Sequence, residues 1–260
     1  MALELAGETQ GAGPPLVVLH GLFGSSSNWR SFAAAMADTR EVVALDLRNH
    51  GASPWADAMG YEAMAEDVLA TIRERGLDRP ALLGHSMGGK VAMALALHEP
   101  AAIGKLIVAD IAPRDYGPTL TPYVDAMRAV DLLAASTRGG IQRQLQALLP
   151  DPSVAPFLAQ NLITRDQHFD WRINLAAIGA AMHELGGFPP ALRERRFERT
   201  MHVIAGANSD YVRAADGSEF APMFPLAEVA FIEGAGHWVH ADRPQAFAEA
   251  VRRALADDAA

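Results

Sequence analysis

The chain has 260 residues, half of them apolar and a fifth charged, which is ordinary for a globular fold and enough for a single α/β domain spanning 1–260. Its formal net charge of -9 argues against nucleic-acid or anionic-membrane partners, because phosphate binding needs a positive surface. With no cysteine, disulfides, thiolate zinc sites and a cysteine nucleophile are excluded.

The opening MALELAGETQ lacks the basic stretch and apolar run of a secretory signal. No window approaches 18 uninterrupted apolar residues either, so the expectation is a cytoplasmic protein with no membrane contact. Leu16 to Leu19, Val42 to Leu45, Ala81 to Leu83 and Leu106 to Ala109 are continuous apolar runs, as strands covered on both faces require. Between the second and third, Tyr61, Met64, Val68, Leu69 and Ile72 recur at helical spacing and end at Gly76. Strands alternating with helices predict a mostly parallel sheet. Residues 113–195 then show no strand-like run, only short helical patterns around Asp125 to Leu133 and Ile173 to Met182. They are expected to form a helical lid over the sheet edge where α/β enzymes bind ligands. Met201 to Ala205 and Val229 to Ile232 predict two further strands, and a last helix runs from about Arg243 to Ala256.

Three motifs carry chemistry. Gly84-His85-Ser86-Met87-Gly88 joins a strand to an alanine-rich helix, the strand-turn-helix setting in which G-x-S-x-G exposes a nucleophilic serine. His20-Gly21-Leu22-Phe23-Gly24 follows the first apolar strand and can aim the Leu22 N–H at the same point as the Met87 N–H, forming an oxyanion hole. Gly234-Ala235-Gly236-His237-Trp238 follows the last strand and offers His237 as the general base. Phe23 and Trp238, beside these loops, are the expected substrate-pocket residues. Phe157, Phe169 and Trp171 of the insertion are divided between pocket and core.

Together HGLFGSSSNW, DLRNHGAS, GHSMGGK, VADIAP and GAGHWVH resemble the bacterial YbfF-type esterase group of the α/β-hydrolase superfamily. The resemblance covers nearly the whole chain. It implies hydrolysis of small acyl esters or thioesters through Ser86 and His237, with no metal and no organic cofactor. The acid partner stays open. The usual G-x-x-D turn here reads Gly206-Ala207-Asn208-Ser209, with Asp210 one residue late, whereas Asp110 ends the strand after the nucleophile helix. Asp110 is the favoured acid, with Ser209 lending a hydroxyl to the histidine, and Asp210 is the alternative. Asp46 to Ser53 is expected to brace the oxyanion loop. A carbon–carbon bond hydrolase or lyase on the same triad would need cations such as Arg114, Arg128 or Arg172 in its pocket. A non-catalytic binding protein of the same fold is the rival from another class.

Overall fold

The computed structural model describes residues 2–117, 119–135, 137–213 and 216–256. Pro118 and Ser136 of the expected 113–195 insertion, and the two ends of the 1–260 span, lie outside them. Among the described residues seven strands form one sheet, β1 (Gly7–Gln10), β2 (Pro15–Leu19), β3 (Glu41–Leu45), β4 (Ala81–His85), β5 (Lys105–Ala109), β8 (Met201–Gly206) and β9 (Ala227–Ile232). Their order is β1-β3-β2-β4-β5-β8-β9, parallel except where β1 pairs antiparallel with β3. The expected mostly parallel sheet flanked by helices is what the chain forms.

Because successive strand side chains point to opposite faces, each apolar run feeds two cores. Val17, Leu19, Val43 and Leu45 pack on one side against helices α2 (Tyr61–Glu74) and α3 (Met87–His98). Leu16, Val18, Val42 and Ala44 pack on the other against α1 (Arg30–Met36) and α11 (Pro244–Ala256). The stripe Tyr61, Met64, Val68 and Ile72 is fully buried, and each such side chain contributes about 1.5–3 kcal/mol on leaving water. Helix α2 stops at Gly76, which takes φ +64°, with Gly76 N–H donating to Arg73 O and Leu77 N–H to Ile72 O. Those two bonds satisfy carbonyls that the helix end would otherwise leave open.

Between β5 and β8 the insertion carries α4 (Thr121–Ala129), α5 (Arg138–Leu148), α6 (Ala155–Ala159), α7 (Leu175–Ala180) and α8 (Met182–Gly186). The expectation of no strand there is corrected by a hairpin, β6 (Leu162–Arg165) and β7 (His168–Trp171). Its turn residues, Asp166 and Gln167, both have positive φ, the backbone of a tight hairpin turn usually signalled by Asn-Gly. After β8 come the short α9 (Gly217–Phe220) and, after β9, α10 (Val239–Asp242). No helix among the described residues is long and apolar enough to cross a membrane.

Candidate active site

Strand β4 ends at His85 and α3 begins at Met87, so Ser86 alone must turn the chain. It does so at φ 53°, ψ -119°, a backbone that costs on the order of 1–3 kcal/mol for a residue with a side chain. Ser86 N–H donates to Ala109 O at 3.0 Å, extending the β4–β5 ladder into the turn. The flanking glycines have no alternative. A Cβ at Gly84 would sit 2.1 Å from Gly88 O, and one at Gly88 would sit 2.5 Å from His20 O.

His237, in the turn between β9 and α10, places Nε2 3.0 Å from Ser86 Oγ and Nδ1 2.7 Å from Asp110 Oδ2. The carboxylate fixes the proton on Nδ1, which leaves Nε2 free to accept from the serine hydroxyl. Asp110 follows β5 at φ 50° and is fully buried; its Oδ1 accepts from Gly206 N–H at 3.1 Å and its Oδ2 also accepts from Ser209 Oγ–H. Ser209 therefore supports the carboxylate and not, as the sequence suggested, the histidine. Asp210 points into solvent, with a side chain 93% exposed and 3.2 Å from Arg213. Of the two candidate acids, the fold brings Asp110 to the imidazole and keeps Asp210 away. This geometry can move a proton from Ser86 Oγ to His237 Nε2 while the buried carboxylate balances the imidazolium charge.

Leu22 and Met87 both line the space in front of Ser86. The loop carrying Leu22 is pressed against the elbow, since a Cβ on Gly21 would lie 2.9 Å from His85 Nδ1. Phe23 is held at φ 63°, its N–H donating to His50 Nε2 at 3.2 Å and its carbonyl accepting from Asn161 Nδ2 at 2.8 Å. His50 in turn donates Nδ1–H to Arg48 O, and His20 donates Nδ1–H to Gly21 O while accepting from Leu47 N–H. Asp46 accepts from Ser26 N–H and Ala52 N–H, and Arg48 forms a buried two-pronged pair with Asp67. The Asp46 to Ser53 segment thus braces the loop and lines neither cavity described below.

Burial keeps the neighbouring histidines neutral. His50 is pushed down to about 3 and His240 to about 4, and His20 and His85 are also lowered, with desolvation of the charged form as the main cause. His85 donates Nε2–H to His237 O at 2.8 Å and so fixes the main chain of His237. His240 stacks on Trp29 at 4.4 Å and is not a second base for Ser86.

Two contributors carry no motif. The Tyr211 ring lies parallel to His237, centroids 3.8 Å apart, and limits its rotation. Lys90, one turn after Ser86, donates Nζ–H to Arg114 O, Gly186 O and Gly187 O at 2.5–3.0 Å. Burial pushes it down to about 7, yet three carbonyls claim three donors, which only the ammonium form supplies. The run GHSMGGK was the available signal, since a lysine one turn into an apolar helix must find acceptors.

Two spaces meet at Ser86. One is a cavity of about 40 Å³ and the other a groove of about 750 Å³ lined by Phe23, Phe157, His237 and Trp238. Trp171 is instead a core residue, donating Nε1–H to Met127 O at 3.1 Å, and Phe169 packs beside that core. Arg114, Arg128 and Arg172 line neither space; Arg114 pairs with Asp216 and Arg128 donates to Leu175 O.

Residues 16–250 match the model of the "Alpha/beta hydrolase family". The chain is 39% identical over 247 residues to "sn-1-specific diacylglycerol lipase ABHD11" of Xenopus laevis, covering 92% of this chain and 78% of that one. It is 35% identical over 246 residues to "Esterase YbfF" of Escherichia coli (strain K12), covering 94% and 93%. A solved structure, "Marine microorganism esterase", superposes with a TM-score of 0.93 at 35% identity, covering 97% of this chain and 99% of that one. With its mostly parallel sheet and its Ser86 turn at the carboxyl edge, the chain belongs to the alpha/beta hydrolase family.

Proposed function

We propose that the protein is a serine carboxylic-ester hydrolase that cleaves small acyl esters or thioesters through an acyl-enzyme. Ser86 is the nucleophile, His237 the general base, Asp110 the residue that orients and charges the base, and the N–H groups of Leu22 and Met87 hold the oxyanion. The observation that carries this reading is the continuous chain Ser86 Oγ, His237 Nε2, His237 Nδ1 and Asp110 Oδ2, with steps of 3.0 and 2.7 Å.

Ser86 Oγ bonds to the acyl carbon as its proton passes to His237 Nε2, and the carbonyl electron pair moves onto the oxygen facing Leu22 and Met87. Collapse of that intermediate breaks the bond to the leaving oxygen or sulfur, which takes the proton from His237. Water then repeats the sequence, giving its proton to His237, and Ser86 recovers it as the acid departs. The insertion, 113–195, acts as the lid, because its residues Leu120, Tyr123, Val154 and Phe157 face the groove. A carbon–carbon bond hydrolase is less well supported, since the three arginines it would call on line neither space. Zero cysteine is compatible with a reducing compartment, and we assign the chain to the cytoplasm.

The test is p-nitrophenyl acetate hydrolysis and fluorophosphonate labelling of wild type and Ser86→Ala. The variant should stay folded, lose labelling and drop about 10⁴ to 10⁶ in kcat. A folded Ser86→Ala protein with a tenth of wild-type activity would rule the assignment out.

A further inference from the structure

We infer that the two spaces meeting at Ser86 divide the ester between them: the small cavity takes the acyl chain and admits acids up to about four carbons, and the large groove takes a bulky alcohol. The inference rests on the hydrolase reading and specifies its substrate class.

The direction follows from the base. In acyl transfer the histidine that deprotonates the nucleophile must also protonate the leaving oxygen, so the alcohol has to leave on the histidine's side. His237 and its neighbour Trp238 line the groove and not the cavity. The cavity shares Ser86 and Tyr211 with the groove and runs past Met87 to Ile111, Tyr116, Met182 and Leu185. With the carbonyl carbon at Ser86 and its oxygen toward Leu22 and Met87, the acyl chain is the substituent left to enter it.

Its volume sets the length. About 40 Å³ holds roughly three water-sized groups, so three carbons fit beyond the carbonyl. The groove, at about 750 Å³, imposes no comparable limit. The cavity floor is also fastened. Lys90 ties the carbonyls of Arg114, Gly186 and Gly187, Tyr61 donates to Leu185 O at 2.5 Å, and Tyr116 donates to Tyr211 O at 2.6 Å while accepting from Ala112 N–H. A longer chain would have to part several hydrogen bonds that are at least part-buried. Lys90 is thus a specificity-determining residue: its ammonium closes the cavity by joining the elbow helix to both ends of the insertion.

Two ester series decide this. One keeps p-nitrophenol and lengthens the acid from acetate to octanoate; the other keeps acetate and lengthens the alcohol from methanol to octanol, followed by pH-stat. In the acid series kcat/KM should rise up to about fourfold per methylene to butyrate and then fall at least tenfold by octanoate. The alcohol series should rise without such a break. Met182→Ala and Leu185→Ala, made separately, should move the acid break outward by one or two carbons and leave the alcohol profile's shape alone. An acid series that climbs through octanoate, or a break in the alcohol series, overturns the partition even though hydrolysis and labelling persist. Absence of both turnover and labelling overturns the hydrolase reading, and the partition falls with it.

Discussion

The carboxyl edge of the sheet and the insertion beside it are built to different standards of rigidity. At the edge, Ser86, Asp110 and Phe23 all sit at positive φ, and each is tied into hydrogen bonds that prolong the strand ladders or fasten the neighbouring loop. The α-helices of the insertion are 5 to 11 residues long, two of them capped by Thr137 and Asn174, with Leu133 left 77% exposed. Proton transfer needs placement to a few tenths of an ångström, which strained turns locked onto a sheet can give. Selecting a substrate needs only shape, which the short helices supply between the two stretches that Lys90 ties to α3. Chemistry should therefore fail when the edge is altered, and only preference should shift when the insertion is.

The sharpest way to break that contrast is at the base. His237→Ala should lower kcat by about 10⁴ to 10⁶, and adding Ser86→Ala should cost little more, because residues acting as one unit are not additive. Steady-state kinetics of the two single variants and the double variant would show this, and additive losses would mean independent roles. Ser209→Ala removes one of three hydrogen bonds to the Asp110 carboxylate. It should cost about tenfold in kcat, the loss expected for one charge-assisted bond, with the pH–rate profile shifted because the base loses support.

The braces of the edge can be tested by acid. His50 and His240 are held neutral in the fold, at about 3 and about 4 against an unfolded value near 6.5. Their contribution is full above about pH 6.5 and is lost as pH falls, because the unfolded chain then takes up protons that the fold refuses. Between pH 7 and pH 5 each should cost about 2 kcal/mol. Thermal melting across that range should show the decline, and His50→Gln should flatten it. The smallest effect belongs to the insertion: Phe157→Ala should change selectivity between large alcohols a few-fold and leave the labelling rate of a small fluorophosphonate unchanged.

The sequence made the edge legible because its constraints are local. A serine between glycines after an apolar strand has few other uses, and a histidine in a glycine turn after the last strand completes the pattern. Which carboxylate reaches His237, Asp110 or Asp210, depends on something no spacing contains, namely which one the fold buries. The Ser209 hydroxyl was likewise placed in the right turn but given the wrong partner. Strand β1 was missed since Gly7–Gln10 is a polar, exposed edge segment with no apolar signal. The β6–β7 hairpin was missed because Asp166-Gln167 adopts the left-handed turn without the glycine that normally announces it. Tyr211 was invisible for a third reason: stacking on His237 depends on the fold around both residues and on no motif.

Asp110, buried at the end of a sheet strand, is expected to activate the Ser86–His237 pair, and Asp210 is not. Rates of fluorophosphonate labelling for Asp110→Asn and Asp210→Asn test it directly, since labelling reads nucleophile activation apart from substrate preference. At equal thermal stability, Asp110→Asn should label slower by about 10² to 10⁴, because an amide favours the wrong histidine tautomer, and Asp210→Asn should label as wild type does. A slow Asp210→Asn beside a wild-type-like Asp110→Asn would contradict the account.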